Sequence, residues 1–432
     1  MSRPATGTGL LLCTALLLTS ACTGEPAVPP SDATVNIGFL APLSGPAASA
    51  GAETKRGAEL AVDIINGHHP SIPLPLGPGA GLPRLHNAKV KLQAADTAGP
   101  PSRGATEVAR LVSTKHVVAM AGGYESAVTE AASARSERLK IPFVNGGSSA
   151  SSLTERGLDW FFRTGPSDLS YGRVVFSLLK ERQSKGTSVK RITVVHTDDQ
   201  YGNDGSAMIK RLASHIDGKV VADIKVSAQS TDLSSHAQTA SGSDPDVVLT
   251  LLYTPQALAL RASFDRLAYR PPALIAFGGG YADPAFIQKD KRAAEGVCSR
   301  FAWSADLAQH NPTARAVADL YKQTYHAPMN DDAARAFTAV MSLAQAINDA
   351  RSRTPADIRS ALVNIDVPGR DTIMPWDGVK FDDNHQNIGA RGIVEQIQNG
   401  RYRLVYPFDV ASAQLHWPMA DAGGQEEPRW RQ

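Results

Sequence analysis

From residue 34 onward the chain alternates short β-rich runs with longer stretches of helical periodicity, and this rhythm limits its fold more than any other feature. Residues 35–40 (VNIGFL) read as a strand, and residues 52–66 (AETKRGAELAVDIIN) as a helix with Ala58, Ala61, Val62 and Ile65 on one face. Strands follow at 89–94, 117–121 and 141–145, with helices at 103–114 and 126–138 between them. A helix after Ser167, a strand at 191–196 and a helix at 205–215 continue the pattern, and the runs 220–226, 233–239, 246–252, 256–267 and 273–277 extend it. Parallel strands need crossovers, and helices supply them, so the alternation implies βαβ units with helices on both sheet faces. One sheet would need too many strands. The expectation is an α/β fold of two doubly wound lobes, with residues 163–170 (RTGPSDLS) as the first passage between them.

The first two dozen residues stand outside that rhythm. Arg3 precedes an apolar run at 10–18, too short for a membrane-crossing helix, which takes roughly 20 residues. A basic start, a short apolar middle and small residues before Cys22 describe a cleavable export signal. Ending on Cys is the pattern of a bacterial lipoprotein site; Thr19 departs from it, because an aliphatic residue is usual three before the Cys. The sequence thus predicts a signal at 1–21, lipidation at Cys22 and a flexible Pro-rich tether over 22–33. The body is then exported and anchored by lipid on the outer face of the cytoplasmic membrane.

Composition excludes several functions. The formal net charge is +2, and +1 once Arg3 leaves, which gives no footprint for nucleic acid. Of the three cysteines, Cys13 departs with the signal and Cys22 carries lipid, so Cys298 has no partner and reads as a buried, inert thiol. The fold must therefore rest on core burial, which 42% hydrophobic residues can supply. There is no Walker A motif, no G-x-G-x-x-G after a strand, no G-x-S-x-G, no H-E-x-x-H and no C-x-x-C. His68, His69 and His86 lie in a Pro/Gly-rich excursion over 68–87, read as a surface loop rather than a metal site. Asp331-Asp332 and Asp382-Asp383 read as helix-start or turn features. The expectation is a protein without enzymatic activity, cofactor or metal, ending in a loosely ordered tail over 411–432.

In parallel α/β sheets, ligands collect beyond the carboxyl ends of strands, where helix N-termini present free N–H groups. Four junctions qualify. Gly122-Gly123-Tyr124-Glu125-Ser126 follows one strand; Ser126, with Tyr124 beside it, either faces a ligand or simply caps the next helix. Residues 145–152 (NGGSSASS) follow another, with Gly147 and Ser149 offering room and uncharged donors. Tyr201 and Tyr253 close the third and fourth junctions, each with an apolar face and an orienting hydroxyl. Gly278-Gly279-Gly280 follows a strand without the Lys of a phosphate loop, and allows close approach of backbone to a ligand or to the other lobe.

With these junctions in place the chain resembles the type I periplasmic solute-binding proteins of ABC importers, specifically the Leu/Ile/Val-binding group. The similarity covers about residues 35 to 406, and its landmarks come in order: residues 38–46 (GFLAPLSGP), 57–61 (GAELA), 63–66 (DIIN), 153–157 (LTERG), 162–164 (FRT) and 200–202 (QYG). The resemblance implies two Rossmann-like lobes joined by a three-segment hinge crossing near Pro166, Ser299 and Gly392. Lobe I would then be 34–166 with 299–391, and lobe II 167–298 with 392–410. It also implies that the Ser126 hydroxyl holds a ligand carboxylate and that Gly147 and Ser149 hold carboxylate and ammonium. Tyr201 and Tyr253 would close over the ligand from lobe II.

There are two departures. The acid that pairs the ammonium in amino-acid binders aligns with Gly280, so either another acid substitutes, with Glu125 the nearest candidate, or the ligand is not an ordinary α-amino acid; small Ala50 stands where those binders often place an aromatic. The implied function is capture of an amino acid or related small polar solute and delivery to ABC permease subunits. The rival is a receptor reporting the same ligand to a membrane signalling partner.

Overall fold

The structure, a computed structural model, describes Met1, residues 34–289 and residues 294–419. The expected signal, Cys22 and the tether lie outside the described residues.

The first sheet is built from β1 (Val35–Ala41), β2 (Val90–Asp96), β3 (Ala119–Gly122), β4 (Phe143–Asn145) and β5 (Phe161–Arg163), all parallel, in the order β2-β1-β3-β4-β5. α1 (Ala48–Asn66), α2 (Pro101–Lys115) and α3 (Ser126–Leu139) make the crossovers. β1 is buried at every position but Asn36, as a strand covered on both faces must be.

After β5 the chain passes through residues 164–167 into α4 (Asp168–Ser184), started by Ser167, whose hydroxyl accepts from the Ser170 amide at 3.2 Å. β6 (Arg191–Thr197), α5 (Gln200–Ala213), β7 (Lys219–Val226), α6 (Ser234–Gly242), β8 (Val247–Leu251), α7 (Thr254–Arg266), β9 (Leu274–Ala276), α8 (Pro284–Lys289) and β10 (Cys298–Phe301) form the second unit. Ser299, the expected second crossing, sits inside β10, paired with β9 and with a later strand. The chain therefore leaves this sheet only after Phe301.

It returns to the first unit through α9 (Ala305–Ala308), α10 (Pro312–Tyr325), α11 (Asp331–Ala350) and α12 (Pro355–Val363), with α11 laid against α1. A two-stranded ladder, β11 (Asp366–Pro368) with β12 (Gly378–Lys380), precedes the last crossing. β13 (Ile393–Gln398) and β14 (Arg401–Tyr406) then add an antiparallel edge, completing the order β14-β13-β10-β9-β8-β6-β7.

Two expected loose segments are packed. In the 68–87 excursion Ile72, Leu74, Leu76 and Leu82 are buried in the main core, and the Arg84 amide donates to Asn348 on α11 at 2.9 Å. Apolar side chains at alternate positions of a Pro-rich loop found a surface to cover. The expectation of a loose tail from 411 is likewise corrected for 411–419. Gln396 and Gln398 donate to the His416 and Gln414 carbonyls at 2.8 and 2.7 Å, and Met419 is buried.

Candidate ligand-binding cleft

Two loops at the carboxyl ends of β3 and β4 form one wall. Gly122 and Gly123 take φ of +98° and +87°, which turns the chain sharply off β3. Asn145, fully buried at the end of β4, donates through Nδ2 to both of their carbonyls at 2.8 and 3.0 Å. Ser148 Oγ donates to the Tyr124 carbonyl at 3.0 Å and pairs with Thr129 Oγ1 at 2.7 Å. The two loops are thereby locked together. Ser126 lies in the first turn of α3, after the N-cap residue Glu125, and its Oγ accepts from the Ala150 amide at 3.3 Å. Its hydroxyl therefore ties the loops rather than capping its own helix.

The second unit supplies the opposite wall. Tyr201 sits in the first turn of α5 because Asp199 starts that helix, accepting from the Gly202 amide at 3.0 Å. The Tyr201 hydroxyl donates to the Phe277 carbonyl at 2.8 Å. Tyr253, at the N-cap of α7, brings its ring centroid to 5.5 Å from Tyr201 and 6.3 Å from Tyr124 across the cleft. Burial holds all three phenols well above their usual value, so they stay protonated donors.

Tyr124, Ser126, Gly147, Ser149, Tyr201 and Tyr253 thus line a single cleft of about 280 Å³. Gly280 does not line it; Gly279 does. A Cβ on Gly280 would stand 2.1 Å from the Thr254 nitrogen, so its close approach is to the Tyr253–Thr254 backbone of its own lobe, not to a ligand or the other lobe. Glu125 is also off the wall. It is half-buried, its Oε2 has no hydrogen-bond partner among the described residues, and burial pushes its carboxyl up to about 7.

The sequence reading missed two arginines. Arg335 on α11 spends Nε on Asp331 at 2.8 Å, Nη2 on Asp332, and Nη1 on the Gly147 and Gly146 carbonyls at 2.6 and 3.2 Å. Burial pushes Asp332 up to about 7 against the pull of Arg335. The aspartates expected only to start a helix do so, and also hold this arginine; the i,i+3 and i,i+4 spacing was the available signal. Arg300 on β10 is 3% exposed, its guanidinium 3.6 Å from the centroid of the Tyr171 ring, with Nη2 donating to Ser149 Oγ at 3.1 Å. The sequence offered no signal for it, because only the structure shows that all four residues of β10 are buried.

The walls also touch outside the cleft. Ser49 Oγ on α1 donates to Asp283 Oδ1 at 2.7 Å, and the Ser152 amide to Asp204 on α5 at 3.2 Å. A separate cleft of about 360 Å³, lined by Leu74, Phe337, Met341, Val367 and Ile373 among others, contains none of the candidate residues.

Residues 34–401 match the sequence profile of the family described as periplasmic binding protein. A Leu/Ile/Val-binding protein homolog 7 of Brucella suis is 25% identical over 90% of this chain and 95% of its own length. A Leu/Ile/Val-binding protein homolog 8 of Brucella abortus is 28% identical over 89% and 93%. Among solved structures, a leucine-binding protein from Thermotoga maritima superimposes with TM-score 0.74 at 21% identity, covering 87% of this chain and 99% of that one. An ABC-transporter solute-binding protein from Rhodopseudomonas palustris in complex with benzoate gives 0.72 at 18% identity, covering 86% and 95%. At such identities the structural likeness shows the fold: two Rossmann-like lobes of the type I arrangement.

Proposed function

The chain belongs to the periplasmic binding protein family, and from that premise we propose that it is the extracytoplasmic substrate-binding lipoprotein of an ABC importer. It captures a small polar solute between its lobes and delivers it to the permease, with lipid on Cys22 keeping it near the membrane. The observation that carries this reading is the meeting of Tyr124, Ser126, Gly147 and Ser149 from one lobe with Tyr201 and Tyr253 from the other around one cleft. The similarity to Leu/Ile/Val-binding homologues and to ABC solute-binding structures supports the solute class. No helix among the described residues is long and apolar enough to cross a membrane.

Capture is reversible and leaves the solute unmodified. Hydroxyls and amides at the β3 and β4 ends take the polar head, and the tyrosines of the second lobe close over the body, so binding favours the shut arrangement. A thermal-shift panel of amino acids, amides, short peptides, polyols and carboxylates tests this, since a tight solute raises the melting temperature. Ser126→Ala should then weaken calorimetric affinity at least tenfold, about 1.4 kcal/mol. A panel without a single binder would count against solute capture.

A further inference from the structure

The cleft carries a charge bias that the family resemblance does not anticipate. Its described lining includes two arginines and no carboxylate. Arg335 is spent, its nitrogens divided among Asp331, Asp332 and two carbonyls. Arg300 is not. Among the described residues it joins no ion pair, and its only side-chain hydrogen bond runs from Nη2 to Ser149 Oγ on the opposite wall. Its Nε is buried without a partner.

The guanidinium is also held flat. The Tyr171 ring lies 3.6 Å from it, and Gly278 backs it so closely that a Cβ there would stand 2.7 Å from Cζ and 2.8 Å from Nη1. A planar fork fixed in this way is pre-organised for a carboxylate, which it can meet with two parallel bonds.

Among the described residues no carboxylate forms an ion pair with Arg300, although Asp168 lies near enough to feel its charge. Asp283, the acid nearest in sequence to the glycine run, accepts from Ser49, Thr254 and the Ala285 amide and does not line the cleft. Asp168 is fully buried, its oxygens without hydrogen-bond partners among the described residues. Burial raises its carboxyl against the lowering pull of Arg300, and no ion pair joins the two. An ammonium enclosed here would face a cation with no acid opposite it, a costly burial. A carboxylate would give Arg300 its missing counter-charge.

Resting on the solute-capture reading, we propose that Arg300 sets the specificity of the cleft for a small carboxylate without a free ammonium group. The carboxylate inserts between the Arg300 fork and the Ser126 and Ser149 hydroxyls, so its charge ties the two lobes together.

Calorimetry on the mature chain with matched triples tests this. Each carbon skeleton is offered as the acid, its amino acid and its neutral amide: isocaproate, leucine and isocaproamide; phenylpropionate, phenylalanine and phenylpropionamide; glutarate, glutamate and the diamide glutaramide. The acid of at least one triple should bind tenfold or more tighter than both companions. Arg300→Gln should erase the preference for acid over amide, whereas Arg300→Lys, which keeps the charge without the fork, should retain part of it. If Arg300→Gln fails to fold, the ranking within triples on the unaltered protein decides alone. Amino acids binding at least as well as their amine-free acids would overturn the Arg300 assignment while leaving solute capture standing. No binding by any member of any triple would overturn the assignment, and with a blank thermal-shift panel it would bring down solute capture as well.

Discussion

Glu395 couples the fold to pH through a single carboxyl. It lies on β13, 5% exposed, and its Oε1 accepts from Ser304 Oγ at 2.6 Å. Burial pushes it from 4.5 up to about 8; the Ser304 bond pulls the other way and the charge of Asp306 adds to the rise. Because the folded value lies above the unfolded one, the native protein holds a proton that the unfolded chain releases. The contribution of Glu395 to stability is therefore complete below about pH 4.5 and is lost as pH climbs toward 8. Glu395→Gln keeps the acceptor and removes the ionisation, so its melting temperature should fall less steeply over that window. Equal slopes for both proteins would mean that Glu395 titrates as it does in the unfolded chain. Buried partners of this kind also mark the limit of sequence reading. Ser126, Ser149, Tyr201 and Tyr253 were legible because they follow apolar strands at chain positions where such sheets expose N–H groups. Arg300 was not, because its meaning comes from Ser149 and Tyr171, distant in sequence. Gly279 and Gly280 differ by one position, and only the turn geometry decides which faces the cleft.

At the scale of elements, the strands up to β9 were read except the short β5, whereas β10 to β14 were not, and helix starts were read less well. The helix expected from 205 begins at Gln200, since Asp199 caps it and the glycines at 202 and 205 hid its first turn. Residues 302–391 went unassigned, yet they hold α11, whose residues are mostly buried around its whole circumference because it runs beneath the first lobe. Its more exposed positions, Met341, Gln345 and Asp349, keep a helical spacing, but that stripe is narrow and confined to the second half of the helix, so the amphipathic signal is short. Its contact with α1 depends on Gly57: a Cβ there would lie 2.0 Å from the Ala333 carbonyl oxygen. Gly57→Ala should force the helices apart and cost about 1–3 kcal/mol, the usual range for overpacking. Alanine's better helix propensity, about 1 kcal/mol, offsets only part of that. The exposed Gly242→Ala at the end of α6, where a Cβ meets nothing within 4 Å, is the matched control and should be neutral or slightly stabilising. If the two variants unfold at the same denaturant midpoint, α1 and α11 are not in the tight contact described.

The whole molecule turns on how its lobes are fastened to each other. Across the gap the direct side-chain bonds include Ser49 to Asp283, the Ser152 amide to Asp204, Gln200 to Ser152 Oγ and Arg300 to Ser149, beside one apolar cluster that holds residues of both lobes. Those with a charged partner are worth about 1.5–3 kcal/mol net, so losing one tilts the balance between the shut and open arrangements. Affinity for a solute that needs the shut form scales with the fraction of molecules already in it. Removing one of these fasteners outside the cleft should therefore weaken binding without touching a binding residue. Ser49→Ala leaves Asp283 its bonds to Thr254 and Ala285, so the lobe itself should stay intact. The expected result is an affinity loss of about tenfold or more, 1.4 kcal/mol being tenfold, with a larger radius of gyration in solution scattering before solute is added. Saturating solute should bring the variant and the unaltered protein to the same compact profile. Unchanged affinity together with identical scattering, with and without a bound solute, would mean that the lobes move as one rigid body, and hinge closure would have to be abandoned.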